Sequence, residues 1–267
     1  MAKGKRRRVL KGICTAVVLC WTLFPVYWMI SLSIRDDAEL IKSLSFLPGS
    51  FTVKHFIRLF ERNNFLVAIS NSLQITIISL AFSLVLGLAC SYILSRARFK
   101  YKIKGAMLFW ILLVRIIPPI AFALPLYIMM NNIGILNTKI PVILAHILVN
   151  IPFIIWFMIS FFSGLPEEVE ESAEIDGATE LQLFIKIVLP LVVPGITAVA
   201  ILSFMTSWSE YLYGVIFVQS PSNFTIPLSL STLNSEQELA QWGSIAAGGI
   251  ISLVPIALFV IFAQNFL

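Results

Sequence analysis

Apolar runs of membrane-crossing length set the limits on what this chain can fold into. A hydrocarbon core about 30 Å thick takes roughly 20 helical residues to cross. Such runs occur near Gly12 to Ile34, Phe65 to Leu94, Ala106 to Met130, Ile140 to Gly164, Leu189 to Val218 and Gly243 to Leu267. Charged residues make up 12% of the chain, against about 25% in a soluble domain. The expected fold is therefore an all-α membrane protein with six transmembrane helices, residues 1–267 forming a single transmembrane domain. The first run follows Lys3, Lys5, Arg6, Arg7 and Arg8 as a signal peptide would, but it is longer than such a core, carries Trp21 and Trp28, and lacks a small-residue cleavage site.

Lys and Arg placement sets the expected orientation, because cytoplasmic loops retain positive charge. The basic segment 1–11 has six such residues, and the loop after the second run has five: Arg96, Arg98, Lys100, Lys102 and Lys104. Both are expected inside, with residues 35–64, the turn at 131–139 and the loop from Gln219 to Trp242 exported, and the core spans running through 65–267. Both termini are then cytoplasmic. The loop after the fourth run falls inside as well, yet Glu167 to Glu180 holds seven acids, and Lys186 is the single base of the segment.

That loop, residues 165–190, reads as a helix-Gly-helix element. Pro166 suits the first turn of a helix, the acids after it complement the positive end of the helix dipole, and Gly177 supplies a stop. Thr179 with Gln182 makes a capping box for a second helix through Leu181, Phe184, Ile185 and Val188 to Pro190. Val169 and Ala173 share a face by their spacing of four, and most of the acids point elsewhere. Interleaved apolar residues and the lack of a Ser-rich or Gly-rich linker favour a folded docking element over a solvated acidic loop.

The order Glu171, Ser172, Ala173, three residues, Gly177, nine residues, then Ile187, Leu189 and Pro190 resembles the EAA loop of binding-protein-dependent ABC importer permeases. Ser172 stands where the family commonly has Ala. Further pieces are similar to the carbohydrate-type permeases related to the second permease subunit of the maltose importer: residues 46–60, Asn71 to Leu73, Ile117 to Pro119, Ala123 to Tyr127, Ser207 to Tyr213 and Gly243 to Gly248. The resemblance implies that the loop supplies coupling helices seated on a cytoplasmic ATPase, with Glu171, Ser172, Ala173, Asp176, Gly177, Leu189 and Pro190 as the coupling residues. It also implies as partners a second permease subunit, two ATPase subunits, an extracytoplasmic solute-binding protein and the lipid bilayer of a bacterial or archaeal plasma (inner) membrane. Family members commonly continue into a polar tail; this sequence stops at Leu267, so no tail contact is carried over.

The chain has no Gly-x-x-x-x-Gly-Lys-Ser/Thr phosphate cradle of its own. ATP and Mg are accordingly expected on the partner ATPase, with no cofactor, metal or nucleic-acid site in this chain and no enzymatic activity. His55 and His146 are far apart, and Cys14, Cys20 and Cys90 fall within spans without disulfide or zinc spacing.

Arg115 and Glu210 fall inside predicted spans, where a charge costs roughly 2.5 to 3.5 kcal/mol near the bilayer centre. At 1.5 Å per residue they lie about 14 and 32 Å from the inner ends of their spans, which argues against a direct bridge unless Pro118 and Pro119 break the third span. Arg115, Trp208, Glu210 and Tyr211 are candidates for the translocation path or a subunit interface; an aromatic belt at the membrane surface explains Trp208, Tyr211 and Tyr213 equally well. Trp156, Asn150, Tyr127, Ser207 and Trp208 are residue types that hold sugars, but no ligand set follows from them. The leading expectation is the permease subunit of an ATP-driven sugar importer, with glycerol phosphate or polyol import as the alternative within the family. A secondary transporter, which would want an internal repeat and several buried carboxylates, and a nontransporting membrane scaffold are the readings from other classes.

Overall fold

A computed structural model describes residues 2–42, 45–62, 64–96, 101–233 and 241–266. Arg98 and Lys100 of the basic loop, residues 234–240 of the last loop expected to be exported, and Leu267 lie outside the described residues. Among the described residues the regular structure is helical. In order, the elements are α1 (Ala2–Ser33), α2 (Asp37–Lys42), α3 (Lys54–Arg62), α4 (Phe65–Arg96), α5 (Tyr101–Ile116), α6 (Pro119–Ile133), α7 (Ile140–Ser163), α8 (Glu167–Ile175), α9 (Glu180–Gln182), a π-helical turn Leu183–Val188, α10 (Leu189–Leu191), α11 (Val193–Trp208), α12 (Leu212–Phe217), α13 (Ile226–Ser231) and α14 (Trp242–Ala263).

Four of the six predicted spans are single helices long and apolar enough to cross a membrane: Leu10–Ser33, Phe65–Arg96, Ile140–Ser163 and Trp242–Phe266. The other two are bent pairs, Lys104–Ile116 with Pro119–Ile133 at 91° and Glu180–Leu191 with Val193–Trp208 at 78°. Proline accounts for both breaks. Pro118 is forced out of the helical region by Pro119 behind it and sits extended at φ −57°, ψ 136°. Pro194, in the first turn of α11, has no N–H to offer the carbonyl of Pro190, so the ladder cannot run through. The expected uninterrupted run from Leu189 to Val218 is broken again between Trp208 and Leu212, where residues 209–211 leave the helix.

The chain divides into two compact units, Met1–Phe65 with Ser229–Pro255, and Leu66–Leu228 with Ile256–Leu267. In the first, Arg35 is fully buried. Its guanidinium donates to Ser31 Oγ at 2.9 and 3.1 Å and to the Ser45 carbonyl at 2.6 Å, pairs with Glu39 at 3.0 Å and lies 5.5 Å from the Trp28 ring centroid. Its carbonyl contacts His55 Nε2 at 2.8 Å. The His55 ring lies directly against Gly243, where any Cβ would collide with it.

In the second unit, α4 carries Ser72, Thr76, Ser79, Ser83, Gly87 and Ser91 at spacings of three or four, and the five hydroxyl-bearing residues among them are buried. Small residues at this period let helices approach closely inside a membrane. At Gly87 a Cβ would lie 2.6 Å from Ile154 of α7, and at Gly195 of α11 one would lie 2.6 Å from Phe161 of α7. α7 is thus the central helix against which α4 and α11 pack. Asn71 and Ser72, the start of the Asn-Ser-Leu piece, fasten a distant loop: Asn71 Nδ2 donates to the carbonyls of Ser222 and Phe224, and Ser72 Oγ accepts from the Ile226 N–H at 2.8 Å.

Candidate functional site

The helix-Gly-helix element folds as its residues dictate. α8 ends in a Schellman arrangement: Ala178 N–H donates to the Ala173 carbonyl and Gly177 N–H to the Glu174 carbonyl, both at 3.0 Å. This places Gly177 at φ +84°, a conformation costly for residues with a Cβ. Thr179 Oγ1 then accepts from Gln182 N–H at 3.4 Å while Gln182 Oε1 accepts from Thr179 N–H at 3.1 Å, the capping box in full. The second segment passes through the π turn and α10 into Pro190.

Two sides of this element differ. Inward, Ala173, Leu183 and Val188 join Phe153, Ile154, Met158 and Phe162 of α7 in one buried cluster. Glu170 faces inward too: its Oε1 accepts from Arg96 Nε at 2.8 Å and lies 2.6 Å from Arg96 Nη2, and its Oε2 accepts from the Tyr92 hydroxyl at 2.8 Å. Arg96 Nη2 also donates to the Leu165 carbonyl at 3.0 Å. Outward lie the apolar Ile175, Leu181 and Ile185, with Ile175 86% exposed, beside the exposed acids Glu167, Glu168, Glu171, Glu174, Asp176 and Glu180. Leu189 is half-buried and Pro190 exposed. Ser172 is exposed, its hydroxyl turned back onto the Glu168 carbonyl at 2.8 Å.

This arrangement corrects the expectation that Val169 and Ala173 share a docking face. Ala173 is only 7% exposed and belongs to the chain's own core, whereas Val169 is 37% exposed. A spacing of four fixes the side of the helix but not which neighbour covers it, and the covering groups come from α7 and the π turn.

The intramembrane candidates separate. Arg115 does not meet Glu210; its guanidinium carbon lies 4.4 Å from the Phe153 ring centroid, a cation–π contact. Glu210, between α11 and α12, lies 3.3 Å from His146 Nε2 on α7, and its Oε1 accepts from the Tyr213 N–H at 2.8 Å. Beside this pair Asn150 Nδ2 donates to Ser207 Oγ at 2.9 Å, and His146, Asn150, Ser207, Glu210 and Tyr213 line a cavity of about 160 Å³. Trp208 is not on an open surface: it is 3% exposed and stacks on Phe204 at 5.7 Å. Tyr213 is buried as well, and its hydroxyl donates to the Pro119 carbonyl at 3.2 Å. Tyr211 at 42% and Trp156 at 53% stay exposed, and Tyr127 is half-buried. His146, expected only to form no metal or catalytic constellation with His55, is a member of this polar cluster. The signal was present in His146 and Asn150, four apart on α7, facing Ser207 and Glu210, three apart.

Residues 83–267, which include the whole loop and this cavity, match the family described as binding-protein-dependent transport system inner membrane component. The chain belongs to that family. Full-length relatives agree: it is 30% identical to the trehalose transport system permease protein SugB of Mycobacterium tuberculosis over 98% of this chain and 95% of the relative. It is 32% identical to the arabinooligosaccharides transport system permease protein AraQ of Halalkalibacterium halodurans over 99% and 95%. The fold is that of a chain in the crystal structure of a bacterial ABC transporter that imports the polysaccharide alginate, with TM-score 0.81 at 18% identity, covering 99% of this chain and 98% of that one. The permease is therefore an inner-membrane transport component, and the secondary-transporter and scaffold readings fall away.

Proposed function

We propose that this permease forms half of the translocation path of an ATP-driven sugar importer, beside a second permease subunit, two ATPase subunits that bind ATP and Mg, and an extracytoplasmic solute-binding protein. The observation that carries the reading is the folded helix-Gly-helix element with its apolar and acidic outer side. A solvated loop has no need of a Schellman stop, a capping box and exposed Ile175, Leu181 and Ile185 in succession. The saccharide transport named for the relatives supports sugar as the solute class.

In this reading the element lies in the cytoplasm with both termini, and Glu171, Ser172, Asp176 and Gly177 present or shape the surface that the ATPase receives. Ala173, Leu189 and Pro190 act from behind by fixing that surface to α7 and α11. ATP-driven closure of the ATPase dimer draws the elements of the two permeases together and turns the path outward; hydrolysis reverses it. Arg115, Glu210 and Tyr211 lie near the path. The test is a reconstituted complex with its binding protein: ATP hydrolysis rises when the binding protein carries sugar. Hydrolysis indifferent to the loaded binding protein would reject the reading, and a response confined to glycerol phosphate or a polyol would move the solute class.

A further inference from the structure

We propose that Tyr92 and Arg96, one turn apart at the end of α4, form a clamp that makes α4 move with the coupling element, and that Glu170 is its receiving group. The inference deepens the importer reading and rests on it. Glu170 sits among exposed acids, yet its side chain is only 12% exposed and both carboxylate oxygens are engaged by α4. The same guanidinium holds the Leu165 carbonyl, ahead of α8, so α8 is gripped at its entry and along its length. Tyr92 adds a hold on the second segment: its ring lies 4.9 Å from Phe184 and 5.6 Å from Phe162 of α7.

Two guanidinium nitrogens converge on Glu170 Oε1 and the Tyr92 hydroxyl takes Oε2. Hydrogen bonds to a charged partner are roughly twice as strong as neutral ones, and in a half-buried setting the pair is screened less than a surface pair. The five polar and aromatic contacts from Tyr92 and Arg96 join α4 to α8, to the segment before it, to the π turn and to α7. A push on the outer side of the element therefore reaches α4 directly, in addition to passing through the apolar core. These are positioning residues, since none of Tyr92, Arg96 and Glu170 belongs to the exposed surface offered to the ATPase.

The test uses the assembled transporter in liposomes with Cys14, Cys20 and Cys90 replaced by Ser. Spin labels at Ile93 and Val169, both exposed, report the distance between α4 and α8. With Arg96 present, one narrow distance is expected with and without ATP. Arg96→Ala should broaden it and raise the ATP hydrolysed per sugar imported about fivefold or more, the lower end of ordinary coupling between sites, while the ATPase subunits still co-purify. Arg96→Lys and Tyr92→Phe should fall between. The charge exchange of Arg96→Glu with Glu170→Arg should restore the narrow distance and part of the coupling, which a general loss of folding would not allow. A narrow distance with wild-type coupling in Arg96→Ala would overturn the clamp, and so would loss of the ATPase from that complex. If the wild-type complex ignored the loaded binding protein, the importer reading would fail while the label distances still decided the clamp.

Discussion

At the residue scale, Gly177 shows how one backbone conformation sets the geometry of the outer surface. A Cβ there meets no atom within 4 Å, so its requirement for glycine is conformational: φ is +84°. Gly177→Val should cost about 1 to 3 kcal/mol of local strain, leave membrane insertion intact and reduce recovery of the ATPase in pull-downs. Gly177→Asn, which tolerates the left-handed region better, should retain more of it. Glu171→Ala and Glu167→Ala should differ. A buried interfacial charge pair loses about 2 to 5 kcal/mol on truncation and a rim charge far less; the family resemblance places Glu171 in the first class, and Glu167 opens α8 in water. Substrate-stimulated ATPase activity of each variant reads the difference. Ala173→Asp acts on the permease itself, burying a carboxylate among Leu183, Val188 and Phe162 at a cost of about 1 to 3 kcal/mol or more. Lower thermal stability of the isolated permease would show this; unchanged stability with lost ATPase binding would return Ala173 to the outer side.

At the element scale, the parts of the chain that follow local chemistry were legible. Gly177, Thr179 and Gln182 act through neighbours in sequence, and their roles appear as expected. Pro166, expected in the first turn, instead sits one residue earlier as the extended N-cap of α8, at φ −61° and ψ 134°. The burial of Glu170 and Ala173 was not legible, because it depends on Arg96 and α7, far away in the chain. The polar stripe on α4 had a readable period, but only the structure shows that Gly87 meets Ile154. Gly87→Val should overpack that contact and cost about 1 to 3 kcal/mol, measured as a lower midpoint of thermal unfolding in detergent. The segment between α1 and α4 gives a pH prediction. The Gly49 N–H, then the Ser50 hydroxyl, favour the charged form of Glu39 and hold its pKa below the ordinary value. Its stabilisation is complete above the unfolded value of about 4.3 and is lost as pH falls through the lower folded value. Protection of the Gly49 N–H, measured relative to its intrinsic exchange rate at each pH, should therefore fall on acidification through that value, and Glu39→Gln should flatten the response.

At the scale of the whole molecule, six apolar runs gave the class of protein, whereas Pro118, Pro119 and Pro194 decided where two of them bend. The depth argument against an Arg115–Glu210 bridge agrees with the separate partners, Phe153 and His146, that the structure provides. The central claim is that the outer side of the helix-Gly-helix element receives the ATPase. The most direct measurement places a photocrosslinking amino acid at Ile175 or Leu181 in the assembled transporter. Adducts with the ATPase subunit at both positions, changing in yield when ATP is added, are the predicted result. No adduct at either position, from a complex in which the ATPase still co-purifies with the permease, would contradict it.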